Sequence, residues 1–479
     1  MKKQHRLVSA TLVFAIAPFV AHADSNLVVD SLSKAQTTDG KYISWQEHII
    51  DDPQIGNEPD LSGSDGLEMA DLDGDGFEDI VSVHEADIVY DGRPVGFVRI
   101  AWATNNPNKW ELTTLAFGPE AAAAEDVSIA DANGDGHPDI VVATELAHLI
   151  YFQNPGKNAR NAQWERTIPP IASNRGSFIR VFFADFDDDG RPEVVAANKG
   201  DQNAGADGRE VLQRKNFSIF ILPDNPLDGA LWREHVLGKS MVPINSEPVD
   251  LDGDGDLDVV AGSRSERRIL WFENIGGLNF SEHAISIAAL PSNLTLDGFN
   301  MDYADINGDG RLDIVSTTWP GSLVWLQQPD AFDSKWDAHL IGTFIPDQLV
   351  SVRLADVDGD GDLDAFSGAY SRGPRDIDGP NVDINDRLGR IAWFENPGAM
   401  PQQQWMRHDI SRRKRGMYDK WLARDLDDDG DLDMVGTRGN SFPYDGVIWL
   451  EQIRTDDARA VFRQARTVDS QQMPLPKNP

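Results

Sequence analysis

Seven short apolar runs punctuate this chain: "IVSV", "IVVA", "VVAA", "VVAG", "IVST", "AFSG" and "MVGT". They are too short for helices and rich in β-branched residues, so they read as buried strands. Each follows an acidic, glycine-bearing turn, the first being "DLDGDGFED". The same spacing, Asp-x-Asp/Asn-x-Asp-Gly-x-x-Asp/Glu, begins at Asp71, Asp131, Asp185, Asp250, Asp305, Asp356 and Asp425. Successive starts are 60, 54, 65, 55, 51 and 69 residues apart, which is the signature of a repeat architecture.

Two further phrases accompany the turns. "LIYFQNPG", "ILWFENIGG", "LVWLQQPD", "IAWFENPG" and "VIWLEQI" predict an aromatic strand. "WELTTL", "WERTI", "WREHVL", "FSEHAI", "WDAHLI" and "WMRHDI" predict an outer strand after it. One unit is therefore strand, acidic loop, strand, aromatic strand, outer strand, a four-stranded blade. The last unit lacks its outer strand, but "YISWQEHII" at 42–50 supplies the missing phrase from the other end of the chain. The expectation is an all-β fold, a single seven-bladed β-propeller closed by an N-terminal outer strand.

The oxygen-bearing positions of each turn suit a hard cation, and calcium is the expected cofactor, up to seven ions with a structural role. The ligands would be Asp71, Asp73, Asp75 and Asp79 in the first copy, and Asp131, Asn133, Asp135 and Asp139 in the second. Asp185, Asp187, Asp189 and Glu193 form the third set, and Asp250, Asp252, Asp254 and Asp258 the fourth. Asp305, Asn307, Asp309 and Asp313 follow, then Asp356, Asp358, Asp360 and Asp364, then Asp425, Asp427, Asp429 and Asp433. An EF-hand would need a bidentate Glu at position twelve, where this chain has Ser82, Val142, Ala196, Ala261, Ser316, Ser367 and Gly436.

Composition adds three constraints. Residues 1–23 carry basic residues, an apolar run and Ala21-His22-Ala23, the pattern of a secretory signal peptide, so a periplasmic or extracellular location is expected. There are no cysteines, hence no disulfides to brace an exported fold. A formal charge of −36 disfavours nucleic acid and anionic membranes as partners, and no later stretch is apolar enough to span a membrane. Residues 42–454 form the propeller and 455–479 a polar C-terminal tail; a monomer is expected.

The motifs resemble FG-GAP/VCBS repeats, the calcium-loop propellers related to the integrin α-subunit head. Some secreted members are similar to ulvan-lyase-type polysaccharide lyases, and a related aldos-2-ulose dehydratase shares the "WFENPG" style of repeat. That resemblance implies adhesion, sugar binding or catalysis without selecting one.

Long connections after the second strands point to the face opposite the acidic loops as the binding face. Just beyond those strands stand His84, Glu145, Lys199, Arg264, Trp319, Tyr370 and Arg438; just before or within the first strands come Arg175, Arg180, Asn245, Asn300, Tyr418 and Lys420. Aromatic rings stack on sugars and guanidinium forks grip carboxylate or sulfate, so an acidic polysaccharide or other glycan is the expected partner. If the protein is a lyase, His84 would be the base, Tyr370 or Tyr418 the acid, and Arg438, Arg264 or Arg180 the group that neutralises the uronate. A hydrolase would have only Glu145 and Asp126 as an evident pair. The alternative is a non-catalytic glycan- or protein-binding or adhesion propeller. The repeated His48, His235, His283, His339 and His408 are expected to pack at the rim, not to bind metal.

Overall fold

The computed structural model describes residues 27–476 except 59, 87–93, 147, 201–213, 292 and 373–374. The segment 1–23, expected to be an export signal, lies outside the described residues. No helix among the described residues is long and apolar enough to cross a membrane.

The chain is a seven-bladed β-propeller of antiparallel sheets. Blade 1 comprises Ser64–Ala70, Asp79–His84, Phe97–Trp102 and Glu111–Phe117. Blades 2 to 5 repeat this order. In blade 6 the first strand is split into Gln348–Leu349 and Arg353–Ala355. Blade 7 contains Trp421–Arg424, Asp433–Arg438 and Gly446–Thr455, and its outer strand is Tyr42–Asp51, paired from Tyr42 opposite Thr455 to Asp51 opposite Val447. The N-terminal strand therefore closes the ring, as its sequence phrase predicts. Its Ile43, Trp45 and Ile50 are fully buried, each contributing about 2 kcal/mol of apolar burial.

The second strands read as continuous apolar runs because both faces are covered. Every residue of Asp79–His84, Asp139–Thr144 and Asp258–Ser263 is buried. Neighbouring blades interleave their side chains: Val81, Val83, Ile100 and Trp102 of blade 1 pack with Val127, Val142 and Phe152 of blade 2. At the rim the repeated histidines stack on the aromatic strand, His48 on Trp449 and His408 on Trp393 with ring centroids 4.4 Å apart in both. Their Nε2 atoms meet Glu451 and Glu395, each at 2.6 Å.

The ninth acid of each motif ties the loop to the blade. Asp79 is fully buried; its Oδ2 accepts the Leu72 N–H at 3.0 Å and its Oδ1 the Ala103 N–H at 2.8 Å. The same two-ended bond, from the loop to the end of the aromatic strand, recurs at Asp139, Asp258, Asp313, Asp364 and Asp433. Glu193 keeps the loop half, to Phe186. The amide of the aromatic phrase then reaches back to the preceding blade's loop. Asn154 donates to Leu72 O, Asn274 to Phe186 O and Gln328 to Leu251 O, all at 2.8 Å, and Gln452 to Val357 O at 3.0 Å.

The polar segment after Arg454, set apart from the propeller on sequence grounds, packs back onto it. Phe462–Arg463 adds a fifth strand beside Trp45–Gln46. Asp469 then enters a buried network with Glu47 of the closing strand, Arg413 of blade 6 and Arg438 of blade 7. Glu47 receives two Arg413 bonds at 2.8 Å, and Asp469 is gripped by both terminal nitrogens of Arg438, one at 2.9 Å. Burial alone would raise the Asp469 carboxyl, but Arg438 and Arg413 outweigh it and hold the group well below the usual carboxylate range.

Deleting residues 456–479 should therefore destabilise the fold by about 3 to 5 kcal/mol at neutral pH, because Arg413 and Arg438 lose a buried counter-charge. A carboxyl with a depressed pKa stabilises above its ordinary value and loses that effect only as pH falls from there toward its folded value, so the gap should be full above about pH 4 and narrow progressively below it. Thermal melts across pH check this; equal midpoints at pH 7 would show that the tail network contributes nothing.

Candidate functional site

Two groups of chemistry-bearing side chains occupy opposite faces of the disc. The first is the ring of acidic loops. In loop 1, Asp71 organises the turn, accepting the N–H of Gly74 at 2.8 Å, Asp75 at 3.1 Å and Gly76 at 2.9 Å. The fourth position must be left-handed, with Gly74 at φ 76°; where the sequence has Asp instead, Asp188 and Asp428 adopt φ 57° and 60°. Carboxylate oxygens gather within 4.8 Å of one another in Asp71, Asp73 and Asp79, in Asp185, Asp187 and Glu193, in Asp250, Asp252 and Asp254, and in Asp356, Asp358 and Asp360. Burial, with neighbouring acids adding to it, pushes Asp79 and Glu193 up to about 7 and Asp364 and Asp433 up to about 8. Such crowding fits a hard divalent ion. The loops are not equivalent, since Arg160 pairs with Asp73 and Asp75, and Arg311 with Asp309.

The second group lines a cavity of about 580 Å³ on the axis at the other face, to which all seven blades contribute. Its walls follow two positions of the repeat. Six residues before each motif start stand Asp65, Glu125, Ile179, Ile244, Phe299, Val350 and Asp419; fourteen residues after it stand Glu85, Glu145, Lys199, Arg264, Trp319, Tyr370 and Gly439. All of these except Ile244 and Gly439 line the cavity. At these two positions acids occupy blades 7, 1 and 2, whereas cations and aromatics occupy blades 3 to 6, where Arg267 and Arg372 join them alongside one acid, Asp297 of blade 5.

β-Bulges create this wall. The first strands slip register between Ser64 and Leu67, Ala124 and Asp126, Phe178 and Val181, Pro243 and Asn245, and Leu296 and Met301. The extra residue lets two consecutive side chains face the axis. One lines the cavity; the next lines a narrow passage beyond it, where Arg180, Asn245, Asn300 and Lys420 lie.

The expected site residues separate accordingly. Lys199, Arg264, Trp319 and Tyr370 line the cavity. Arg180 is buried in the passage, donating to Asp419 at 2.7 Å and Asn300 at 2.9 Å, with its guanidinium 4.7 Å from the Phe299 ring centroid. Lys420 stands 4.0 Å from Asp126, and Asn245 lies 3.4 Å from Glu247. Arg175 points elsewhere, pairing with Glu234 at 2.6 Å.

Three of the four residues expected to be catalytic are placed away from the cavity lining. His84 is fully buried between Ser64 Oγ at 2.5 Å and Ser82 Oγ at 3.0 Å, and burial, with Arg99 adding, holds it neutral. Arg438 belongs to the tail network. Tyr418 is fully buried and stacks on Trp421. The physical reason for the first two is strand alternation: His84 and Arg438 lie thirteen residues after their motif starts, one short of the cavity position, and one residue reverses the face. Glu85 is the true counterpart of Glu145. The acids Asp65, Glu85, Glu125 and Asp419 were missed, though counting from each motif start would have found them. Of the Glu145 and Asp126 pair that a hydrolase would use, Glu145 binds Lys199 and Asp126 faces Arg180 at 3.8 Å.

These features define a repeat propeller with acidic loops on one face and a divided axial cavity on the other. The FG-GAP-like repeat profile matches residues 71–142, 131–196, 250–316 and 305–367, just over half of the chain, and the chain belongs to that family. No curated protein matches it significantly. Among solved structures it is similar to YCF48 from Cyanidioschyzon merolae, at 10% identity over 85% of this chain and 98% of that one with a TM-score of 0.48. It is also similar to BBS1N in complex with ARL6DN, at 10% identity over 89% and 100% with a TM-score of 0.45.

His84 should escape carbethoxylation in the native protein while the more accessible His137 reacts, as read by peptide mass mapping. Modification of His84 before unfolding would place its ring in the cavity after all.

Proposed function

We propose that this protein is an exported, calcium-stabilised propeller that binds an acidic glycan in its axial cavity without cleaving it. The observation that carries this reading is the cation and aromatic arc. Trp319 is 40% exposed, and the Arg387 and Arg372 guanidinium groups lie 4.5 Å and 5.5 Å from its ring centroid. Arg372 also lies 5.3 Å from the Tyr370 ring centroid, and Arg264 and Arg267 complete the wall. Flat rings offer a stacking surface to a sugar, and guanidinium forks suit its carboxylate or sulfate. A cavity of about 580 Å³ lies within the usual range for small-ligand sites, enough for a chain end or a few sugar units.

Binding without cleavage is favoured because the expected base, His84, is buried away from the cavity, while the expected acid Tyr370 and neutraliser Arg264 stand at its wall. The signal-like residues 1–23 and the lack of cysteine support export, where millimolar calcium would fill weak loop sites.

Calorimetry against ulvan, alginate and pectin fragments should find one anionic glycan bound by the wild type and at least tenfold more weakly by Trp319→Ala. Absorbance near 235 nm should stay flat throughout. Unchanged affinity in Trp319→Ala would remove the cavity as the binding site, and a rise at 235 nm would establish a lyase.

Exhaustive dialysis against EDTA should lower the melting midpoint by 10 °C or more, reversibly on calcium addition, since each site held at ten times its Kd contributes about 1.4 kcal/mol. An unchanged midpoint would sink the calcium reading.

A further inference from the structure

We propose that the acidic arc of the axial cavity holds one divalent cation of its own, ligated by Asp65, Glu85 and Glu125 and distinct from the loop sites on the opposite face. One carboxylate oxygen from each of the three lies within 4.8 Å of the others. Oxygen ligands about 2.4 Å from a common ion can be at most twice that distance apart, and the three meet that limit for a single calcium-sized ion. An all-oxygen donor set selects a hard cation such as calcium, magnesium or manganese over softer metals.

The second observation is an orphaned oxygen. Asp65 is only 3% exposed and lines the cavity, yet its Oδ2 is buried with no hydrogen-bond partner. A carboxylate oxygen withdrawn from water and left unpaired is costly, and a cation in the cavity supplies the missing partner. Two nearby protein cations are directed at other acids, Lys199 at Glu145 and Arg180 at Asp419, and of the three proposed ligands Glu85 has an arginine, Arg375, at 3.7 Å. Neither Asp65 nor Glu125 has an ion pair within 4 Å among the described residues.

Backbone geometry brings the donors together. Asp65 and Glu125 hold the same repeat position on adjacent blades, within the bulge. There the first strands approach so closely that a Cβ added to Gly66 would lie 2.7 Å from both Asp126 Cα and Glu125 O. Glu85 enters from the end of the second strand of blade 1. The ion would face the Arg and Trp wall and neutralise two of the three ligand charges on the acidic side.

The test is a count of bound metal on the full chain without glycan, so its outcome is independent of the glycan proposal. Protein equilibrated with millimolar calcium, then separately with manganese, is dialysed to equilibrium and its metal measured by elemental analysis. The Asp65→Asn/Glu125→Gln variant should hold one ion per chain fewer than the wild type. A loop variant, Asp250→Ala/Asp252→Ala, should lose its own ion and keep the axial one. Equal counts in wild type and axial variant would overturn the proposal and indicate that Asp65 and Glu125 share a proton instead. Should the axial variant fail to fold, manganese-soaked crystals of the wild type decide: an anomalous peak beside Asp65 Oδ2 supports the site, and its absence overturns it.

Discussion

The ring depends on the buried ninth carboxylate of each motif. Its two oxygens bind an N–H of the acidic loop and an N–H at the end of the aromatic strand, so loop and blade are fixed by one side chain. Such hydrogen bonds contribute about 0.5 to 1.5 kcal/mol each, and about 1.5 to 3 where the acid is ionised, and this staple occurs in six blades with half of it in the seventh. The Asn or Gln next to its second bond then spans to the carbonyl of the previous loop. Four of the seven loops are thereby held by their own blade and by the next. A disturbance of one loop reaches the blade interface directly, which gives a chain without disulfides a distributed brace.

Closure uses a different device. The outer strand of blade 7 comes from the N-terminal segment, and hydrogen-bonded pairing alone would leave it as an edge. The C-terminal segment covers that edge through Phe462–Arg463 and then locks it with Asp469. Two buried acids and two buried arginines from four separate parts of the chain meet there, and their charges cancel. Such a network is expensive to break because any loss leaves an uncompensated charge.

The same repeat builds a cavity whose lining is free to vary. Bulges in the first strands turn consecutive residues toward the axis, and these positions lie outside the acidic motif. Acids on blades 7, 1 and 2 face cations and aromatics on blades 3 to 6 across one space. Fold and chemistry are thus separated within each repeat: the loop and staple hold the blade, while the positions six before and fourteen after the motif start decide what the cavity can bind.

From sequence alone came the seven blades, the order of their strands, the N-terminal closing strand and the rim packing of the histidines. All of these rest on local patterns: alternation, turn residues and phrases that recur at one place in each unit. The clustering of acidic side chains in the loops was legible for the same reason, since nine consecutive residues carry the whole arrangement. Which side chains reach the axis was decided only by tertiary structure. Strand side chains alternate, so a one-residue offset sent His84 and Arg438 into the protein interior and left Glu85 unnoticed. Likewise nothing local marks Asp65 and Glu125 as neighbours; sixty residues apart, they meet because adjacent blades bring two bulged strands together at the axis.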